Sequence, residues 1–174
     1  MKKITGKAMS RNQSDDEKFL SLDKTDKKIL NLLQKNNQLT NLELAELVNL
    51  SPPPCLRRVR KLREYGVITQ DVSLVNPFKV KQNLISFVSI TLEKQGDDFL
   101  DRFEQKMNEC PEVKQCYFIS GDVDYLLMVH VEDIDTYNEF VRRVFVNSSN
   151  IKSFRSSFCL SRAKYDTSVI FNDK

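Results

Sequence analysis

In "NLSPPPCLRRVRKLREYG", residues 49–66, three consecutive prolines stand next to a strongly basic segment. Proline is compatible with the first turn of a helix, because the amides there have no partner within the helix. Ser51 is a typical N-cap residue, and the apolar residues that follow recur at helical spacing. The segment therefore predicts a helix that starts at Pro52 and is stopped by Gly66.

This predicted helix has an apolar stripe and a basic face. The stripe consists of Cys55, Leu56, Val59 and Leu62. Three basic residues fall opposite the stripe on a helical wheel: Arg57, Arg60 and Lys61. Arg58 and Arg63 lie to its two sides, and no acidic residue interrupts the cluster. Since the whole chain has a net charge of only +3, a local basic cluster indicates a contact with a polyanion.

Two further helices are predicted before the basic one. Asp23 can cap the first, and Thr40 with Glu43 forms a capping box for the second. The buried stripe expected on the second helix is Leu44, Leu47 and Val48, and Asn49 suits a left-handed turn after it. Two helices joined by a tight turn, the second with a basic exposed face, are typical of a helix-turn-helix.

After Gly66 the pattern becomes mixed. Residues 67–77 predict an extended hairpin or linker, and residues 167–171 a short extra strand. The segments between them predict strands at 84–93, 113–120, 124–131 and 151–161, and helices at 97–109 and 134–145. The resulting βαββαβ order predicts an antiparallel sheet with helices on one face, which is the ferredoxin-like arrangement of an α+β protein.

Composition limits the function classes. The longest apolar runs of the 174 residues fall short of the ~20 that span a membrane, and residues 1–20 do not resemble a secretory signal. The four cysteines show no metal-ligand spacing, so we expect reduced thiols and a cytoplasmic protein. His130 stands alone on a predicted strand. We therefore expect no catalytic residue, no metal and no cofactor.

Several segments together resemble one family. They are "LDKTDKKILNLLQKNNQLTNLELAELVNLSPPPCLRRVRKLREYGVI" (22–68), "SGDVDYLL" (120–127) and "VEDIDTYNEF" (131–140). The chain resembles the Lrp/AsnC (feast/famine) transcription regulators over residues 22–171, and is similar to the leucine-responsive branch of that family.

The resemblance implies a division into three parts. Residues 1–21 are a polar arm, residues 22–66 a winged-type helix-turn-helix domain followed by a wing or linker at 67–83, and residues 84–171 an effector-binding and oligomerisation (RAM) domain. Double-stranded DNA is the implied partner, with contacts expected from Ser51, Pro53, Pro54, Arg57, Arg58, Arg60, Lys61 and Arg63. The resemblance also implies a homodimer assembled into an octamer or another even-numbered form, associated with the nucleoid.

An amino-acid effector is implied at the turn Gly121, Asp122, Val123 and Asp124. The amides after Gly121 can receive an α-carboxylate, and either aspartate can bind an α-ammonium group. A plain hairpin turn has the same preferred residues, so that alternative stays open. Family members often carry an aromatic residue at the position of Val123, and this departure leaves open whether there is an effector and which it is.

Four rival functions are considered. The sequence lacks the motifs that an enzyme would need, since it contains no Gly-rich phosphate loop and no nucleophile–histidine pair. An RNA-recognition module also runs βαββαβ, but "DYLLMVHV" (124–131) lacks the aromatic string that such modules need. The alternatives within the resemblance are an effector-independent architectural DNA-binding protein and a metabolite sensor without DNA binding.

Overall fold

A computed structural model describes residues 20–171 of the chain. The chain divides into two compact units. Of the described residues, the first unit contains 20–74 together with 166–171, and the second runs from Val75 to Tyr165. Most of the predicted N-terminal arm lies outside the described residues.

The first unit contains three helices: α1 (Lys24–Lys35), α2 (Asn41–Leu47) and α3 (Pro52–Glu64). The Asp23 carboxylate accepts from the Asp26 amide at 2.8 Å, and the Asp26 carboxylate accepts from the Asp23 amide at 3.2 Å. Thr40 and Glu43 form the same reciprocal pair before α2. Both predicted helix starts are confirmed, because each cap satisfies amides that the helix itself cannot.

The core of the first unit lies between the three helices. Its buried side chains are Ile29, Leu30, Leu44, Ala45, Val48, Cys55, Val59 and Leu62. The expectation that Leu47 is buried is wrong, since 46% of it is exposed. The reason is that the buried stripe of α2 is centred between Leu44, Ala45 and Val48. Leu47 therefore falls on the solvent side of the helix.

The turn between α2 and α3 has the predicted geometry. Asn49 has a φ of 56°, and the amide of Leu50 donates to the carbonyl of Ala45 at 2.9 Å. Gly66 has a φ of 69° and follows the end of α3, as predicted. These two left-handed residues close α2 and α3 respectively.

The second unit has the predicted βαββαβ order. Its elements are β1 (Leu84–Leu92), α4 (Asp97–Glu109), β2 (Val113–Phe118), β3 (Tyr125–Val131), α5 (Ile134–Val141) and β4 (Ile151–Phe158). A π-helical turn at Arg142–Val146 continues α5. The sheet order is β2-β3-β1-β4 and every pair is antiparallel, which confirms the ferredoxin-like arrangement.

One face of this sheet is covered by helices and the other is not. The inward residues of β3 are Tyr125, Leu127, Val129 and Val131, and they join the core of the unit. The alternate residues Leu126 and Met128 lie on the opposite face. There Met128 is paired with Phe87 of β1, and Leu126 with Tyr117 of β2. Phe87 and Tyr117 are 41% and 50% exposed, so two large apolar side chains are accessible on this open face.

Two predicted elements differ from the structure. Residues 67–83 form no strand; they are extended chain with a short 3₁₀ turn at Pro77–Lys79, so this segment is a linker in which neither a hairpin nor a strand forms. The strand expected at 167–171 is also wrong, because these residues pair with no strand. They group with the first unit, whereas the sequence places them at the end of the effector domain. None of the described helices has the length and apolar character needed to cross a bilayer.

Candidate nucleic-acid interface and effector turn

Helix α3 is positioned by packing and by a side-chain hydrogen bond. Its stripe of Cys55, Val59 and Leu62 is buried against α1 and α2. In addition, the Asn41 side-chain amide at the start of α2 donates to the carbonyl of Pro52 at 2.9 Å. The first turn of α3 is therefore attached to the first turn of α2.

The prolines change the chemistry of the α3 start. Ser51 is the N-cap residue in its backbone conformation, but its side chain makes no capping hydrogen bond. An N-cap side chain accepts from the second or third amide of the helix, and here Pro53 and Pro54 occupy those positions without an N–H. The hydroxyl of Ser51 is exposed and has no helical amide to bind. Consequently, the first helical turn offers a hydroxyl and apolar rings instead of amides.

Three predicted contact residues form an outward basic face. Arg57, Arg60 and Lys61 are exposed, as the helical wheel predicts. Within the described range, no carboxylate pairs with any of them. Lys61 places its Nζ atom 5.9 Å from the centre of the Tyr65 ring. This face therefore carries three positive charges that no carboxylate of residues 20–171 neutralises.

Arg58, at one flank of the stripe, is engaged by α1. Its Nη1 atom lies 2.7 Å from Asp23 Oδ2 and 2.7 Å from Asp26 Oδ1. These are the two carboxylates of the α1 capping box, and the Asp26 side chain is only 13% exposed. The hydrogen bonds to Asp26 and then Asp23 raise the pKa of Arg58 above its ordinary value. The pKa of Asp23 is lowered, first by the hydrogen bond from the Asp26 amide and also by Arg58.

Arg63, at the other flank, is engaged as well. Its Nη2 atom lies 2.8 Å from Asp71 Oδ2, in the extended chain that follows α3. Both side chains are largely exposed, so this pair is weak. The structure thus separates the five predicted basic residues into an outward set and two flanking residues with acidic partners.

The predicted effector turn lies between β2 and β3. Gly121 has a φ of 136°, and a Cβ at this position would meet nothing within 4 Å, so glycine is required by conformation and not by crowding. The Asp124 amide donates to the Ile90 carbonyl at 2.9 Å, and the Ile119 amide donates to the Asp124 carbonyl at 2.9 Å. Asp124 therefore joins the end of β1 to the β2–β3 turn.

The two aspartates of this turn differ. Asp124 accepts from the Leu92 amide at 2.7 Å and from the Gln95 side chain at 2.8 Å, so both of its carboxylate oxygens are used by the fold. Leu92 lies where the β1–β4 register shifts, and the carboxylate satisfies its amide. Asp122 is exposed, and no hydrogen bond within residues 20–171 uses its side chain or the amides of Asp122 and Val123.

The remaining titratable groups act in packing. Burial raises the pKa of the Cys116 thiol to about 12, so this cysteine stays protonated. His130 lies on β3, and burial, followed by the charges of Lys114 and Arg162, lowers its pKa. In the part of the chain that the structure describes, no three His, Cys, Asp or Glu side chains are grouped so that they could hold a metal ion.

Taken together, a helix-turn-helix with an unneutralised basic face and a separate ferredoxin-like unit define the class of DNA-binding regulators with a sensing domain. Two family models match the chain in these regions. A winged helix-turn-helix DNA-binding model matches residues 22–69, and the Lrp/AsnC ligand binding domain matches residues 85–169.

Relatives extend over most of the chain. An uncharacterized HTH-type transcriptional regulator of Sinorhizobium fredii is 41% identical over 145 residues, which cover 83% of this chain and 86% of the relative. The leucine-responsive regulatory protein of Escherichia coli is 33% identical over 153 residues, covering 88% and 93%. A transcriptional regulator of Neisseria meningitidis, solved as an L-Met complex, superposes with a TM-score of 0.82 at 37% identity, covering 87% and 98%.

The chain belongs to the Lrp/AsnC family. It is a transcriptional regulator with a helix-turn-helix DNA-binding domain and a ligand-binding domain, and not an enzyme. The resemblance found in the sequence is thereby confirmed.

Proposed function

We propose that this regulator binds double-stranded DNA with α3 in the major groove and responds to an amino acid bound at the Gly121–Asp124 turn. The observation that carries the DNA half is the outward face of Arg57, Arg60 and Lys61. These side chains are exposed and unpaired within the described residues, while the flanking Arg58 and Arg63 have acidic partners. A charged face that the fold leaves unneutralised is available to phosphates and base edges.

The residues of the first α3 turn have complementary roles. The Ser51 hydroxyl has no partner in the helix, so it can donate to a phosphate oxygen. Pro53 and Pro54 present rigid apolar rings that can contact sugars or a thymine methyl group. Because these prolines remove the amides that grip a phosphate at other helix N-termini, the arginines supply most of the electrostatic affinity.

Arg58 and Arg63 complete the predicted interface as positioning residues. Arg58 attaches α3 to the capping box of α1 through two 2.7 Å contacts. Arg63 attaches the end of α3 to Asp71 in the following chain. Their charges contribute to the local positive potential, but their guanidinium groups are held away from a direct base contact by these pairs.

A second copy of the chain is the proposed partner at the open face of the sheet. Phe87, Leu126, Met128 and Tyr117 form an apolar surface that no helix of the unit covers. The family resemblance implies dimerisation through these sheets and further assembly into an octamer or another even-numbered form. A dimer would present two α3 helices to half-sites about 10 base pairs apart, or a multiple of that. Such a protein would work in the cytoplasm, associated with the nucleoid.

The effector proposal rests on the chemistry of the turn. The amides of Asp122 and Val123 are unused within the described residues and can receive an α-carboxylate. The exposed Asp122 can bind the α-ammonium group, whereas Asp124 is already engaged by Leu92 and Gln95. The Neisseria meningitidis relative was solved with L-Met, which makes a free amino acid the first ligand to test.

The engagement of Asp124 also favours a second candidate function. Asp124 is the half-buried aspartate of the turn, and its carboxylate accepts a hydrogen bond from the fold itself. A turn of this kind can be a structural hairpin that binds no ligand. The chain would then be an effector-independent architectural DNA-binding protein. A metabolite sensor without DNA binding has no such support, because it leaves the outward basic face of α3 unexplained.

Selection of binding sites from a random duplex library tests the DNA half. We expect the wild type to enrich a two-fold symmetric motif with half-sites about 10 base pairs apart, or a multiple of that. The Arg57→Ala, Arg60→Ala double variant should enrich no motif while keeping its oligomer size in light scattering. Enrichment of the same motif by this variant would refute the assignment of α3 as the recognition helix.

Calorimetry with each of the twenty amino acids tests the effector half. We expect saturable binding of at least one of them, with L-methionine and L-leucine titrated first. Asp122→Ala should weaken that binding, and Asp98→Ala, which removes an exposed carboxylate from α4 in the same unit, should not. No heat with any amino acid would favour the effector-independent alternative and leave the DNA half intact.

A further inference from the structure

The chain passes twice between its two compact units, once after Leu74 and once before Asp166. Both crossings continue into segments that lie against the same end of α1 in the first unit. The outgoing segment is the extended chain after α3, and the returning segment is Asp166–Phe171. The contacts of these two segments with α1 determine how much of the chain between the two units is free to move.

The returning segment is held by one glutamine. The Gln34 side chain on α1 donates from Nε2 to the Val169 carbonyl at 3.1 Å, and its Oε1 accepts from the Val169 amide at 2.6 Å. A carboxamide that binds both groups of one residue imitates the pairing of a neighbouring strand, which explains why an isolated extended segment can be held without a sheet.

Two further contacts fix this segment. Phe171 packs against the hydrophobic cluster between the three helices. Upstream, the Asp166 carboxylate accepts from the amide and the hydroxyl of Ser168, at 2.9 Å and 2.7 Å, and closes a local turn. The segment therefore has a defined conformation on the surface of the first unit.

The outgoing segment is held by Asn37, three residues after Gln34 in the sequence. The Asn37 side-chain amide, just past the end of α1, donates to the Val72 carbonyl at 3.2 Å. Next to it, Asp71 carries the ion pair with Arg63 at the end of α3. Gln34 and Asn37, which we call the connection clamp, thus bind both segments that lead to the second unit.

The opposite end of α1 holds α3. Asp23 and Asp26 bind Arg58 there, so α1 is attached to α3 at its amino end and to the two chain connections at its carboxyl end. Both sets of contacts are therefore made by a single helix of 12 residues.

We propose that α1 couples the ligand-binding unit to the recognition helix, and that the connection clamp is the part of this coupling that can open. Gln34, Asn37 and Val169 are all exposed, so their hydrogen bonds compete with water and open more readily than the core. With the clamp closed, less of the chain is free between the two units, and we expect a dimer to accept a narrower range of half-site spacings. With it open, longer free segments tolerate a wider range of half-site spacings. This inference rests on the proposed DNA binding.

The test uses full-length variants with single substitutions in the clamp, in the segment that it binds, or at a neighbouring control position. Gln34→Met removes both hydrogen bonds but keeps side-chain length and helix propensity. Lys35→Met, on the adjacent exposed residue, is the matched control. A second pair acts on the returning segment, since Val169→Pro removes the donating amide and Val169→Ala keeps it.

Hydrogen exchange is the first readout and needs no DNA. In Gln34→Met we expect the Val169 amide, which loses its acceptor, to exchange at least about 10-fold faster than in the wild type and in Lys35→Met. Val169→Pro should accelerate the Ser168 amide, which donates to Asp166 in the same segment, and Val169→Ala should not. Equal exchange in Gln34→Met and the wild type would overturn the clamp itself.

The second readout is the preference for half-site spacing. Two duplexes carry the selected half-sites either in phase or shifted by half a helical turn. We expect Gln34→Met and Val169→Pro to reduce the wild-type preference for the in-phase duplex at least about fivefold, with both controls unchanged. Faster exchange with an unchanged spacing preference would overturn the coupling. Failure of the wild type to bind any duplex would instead overturn the proposed function, while the exchange result would still judge the clamp.

Discussion

Helix α3 and the Gly121–Asp124 turn both contain several charged residues. In each, some of the charges have hydrogen-bonded partners within the fold and others remain exposed. On α3 the engaged residues are Arg58 and Arg63 at the flanks of the buried stripe. In the turn it is Asp124, which accepts from Leu92 and Gln95, while Asp122 remains exposed. The position of a charge relative to the core determines whether it serves the fold or is available to a ligand.

The largest effect is expected for Asp124→Ala. The substitution leaves the buried Leu92 amide without its carboxylate acceptor and removes a second bond from Gln95. Hydrogen bonds to a charged group contribute about 1.5–3 kcal/mol, so we expect the free energy of unfolding to fall by about 2–3 kcal/mol. Urea unfolding followed in the second unit measures this.

Asp122→Ala is the matched control for that measurement. It removes the exposed aspartate of the same turn and should change the unfolding free energy by less than about 0.5 kcal/mol. Similar small effects of both substitutions would contradict the distinction between the two aspartates.

The next effect is on DNA binding by Arg57→Ala. Removing one outward guanidinium should weaken binding to the selected operator about 10-fold, which corresponds to about 1.4 kcal/mol. Fluorescence anisotropy at fixed salt measures the affinity. Arg102→Ala, which removes an exposed arginine from α4, should weaken it less than about twofold. Equal losses in the two variants would mean that only overall charge matters.

A smaller effect is expected for the stability of Arg58→Met. The variant keeps the aliphatic stem but loses the contacts with Asp23 and Asp26. Because Asp26 is mostly buried and Asp23 is half exposed, we expect a loss of about 1 kcal/mol in unfolding free energy. Arg60→Met, on the outward face, should leave the stability of the first unit unchanged in the same thermal melts.

The smallest effect is expected for the pH dependence of stability that arises from the contact between Asp23 and Arg58. The pKa of Asp23 lies below its ordinary value of 3.8, first because of the Asp26 amide and then because of Arg58. A carboxylate with a lowered folded pKa stabilises the protein above its unfolded pKa, and that contribution is lost as the pH falls through the folded pKa. The melting temperature should therefore decrease below about pH 4, and less so in Asp23→Asn. Identical acid profiles of the two proteins would contradict this.

Much of the fold is predictable from the sequence because local signals agree with each other. The capping boxes at Asp23 and Thr40, the prolines of α3 and the left-handed Asn49 each act within a few residues of the chain. The apolar periodicity of the second unit also predicts its βαββαβ order, since strands and helices differ in repeat.

What the sequence does not reveal depends on contacts between distant segments. Arg58 pairs with residues 32 and 35 positions away, and Asp124 binds the Leu92 amide 32 positions away. No local pattern predicts these pairs. The helical wheel does place Arg58 and Arg63 beside the stripe, and that flanking position was the available signal for their structural role.

Residues 167–171 show the same limit. Their β-branched composition predicts a strand, but no sheet edge takes them up, and Gln34 binds Val169 across 135 positions of sequence. The prediction that Leu47 is buried is wrong for a related reason. The centre of the buried stripe of α2 depends on tertiary packing, which places Ala45 in one cluster with residues of α3. Tertiary contacts decide both cases against the local preference.

The salt dependence of operator binding, measured for the wild type, Arg57→Ala and Arg58→Met, distinguishes the outward face of α3 from its flank. Each phosphate contact contributes about 0.9 to the slope of log affinity against log salt concentration. We expect Arg57→Ala to lower the slope by about that amount if its guanidinium binds a phosphate, or to weaken binding at a constant slope with relaxed base preference at one position if it reads a base. Arg58→Met should leave both the slope and the base preference unchanged. A loss of slope or of base preference in Arg58→Met equal to that in Arg57→Ala would contradict the division of α3 into a contacting face and a positioning flank.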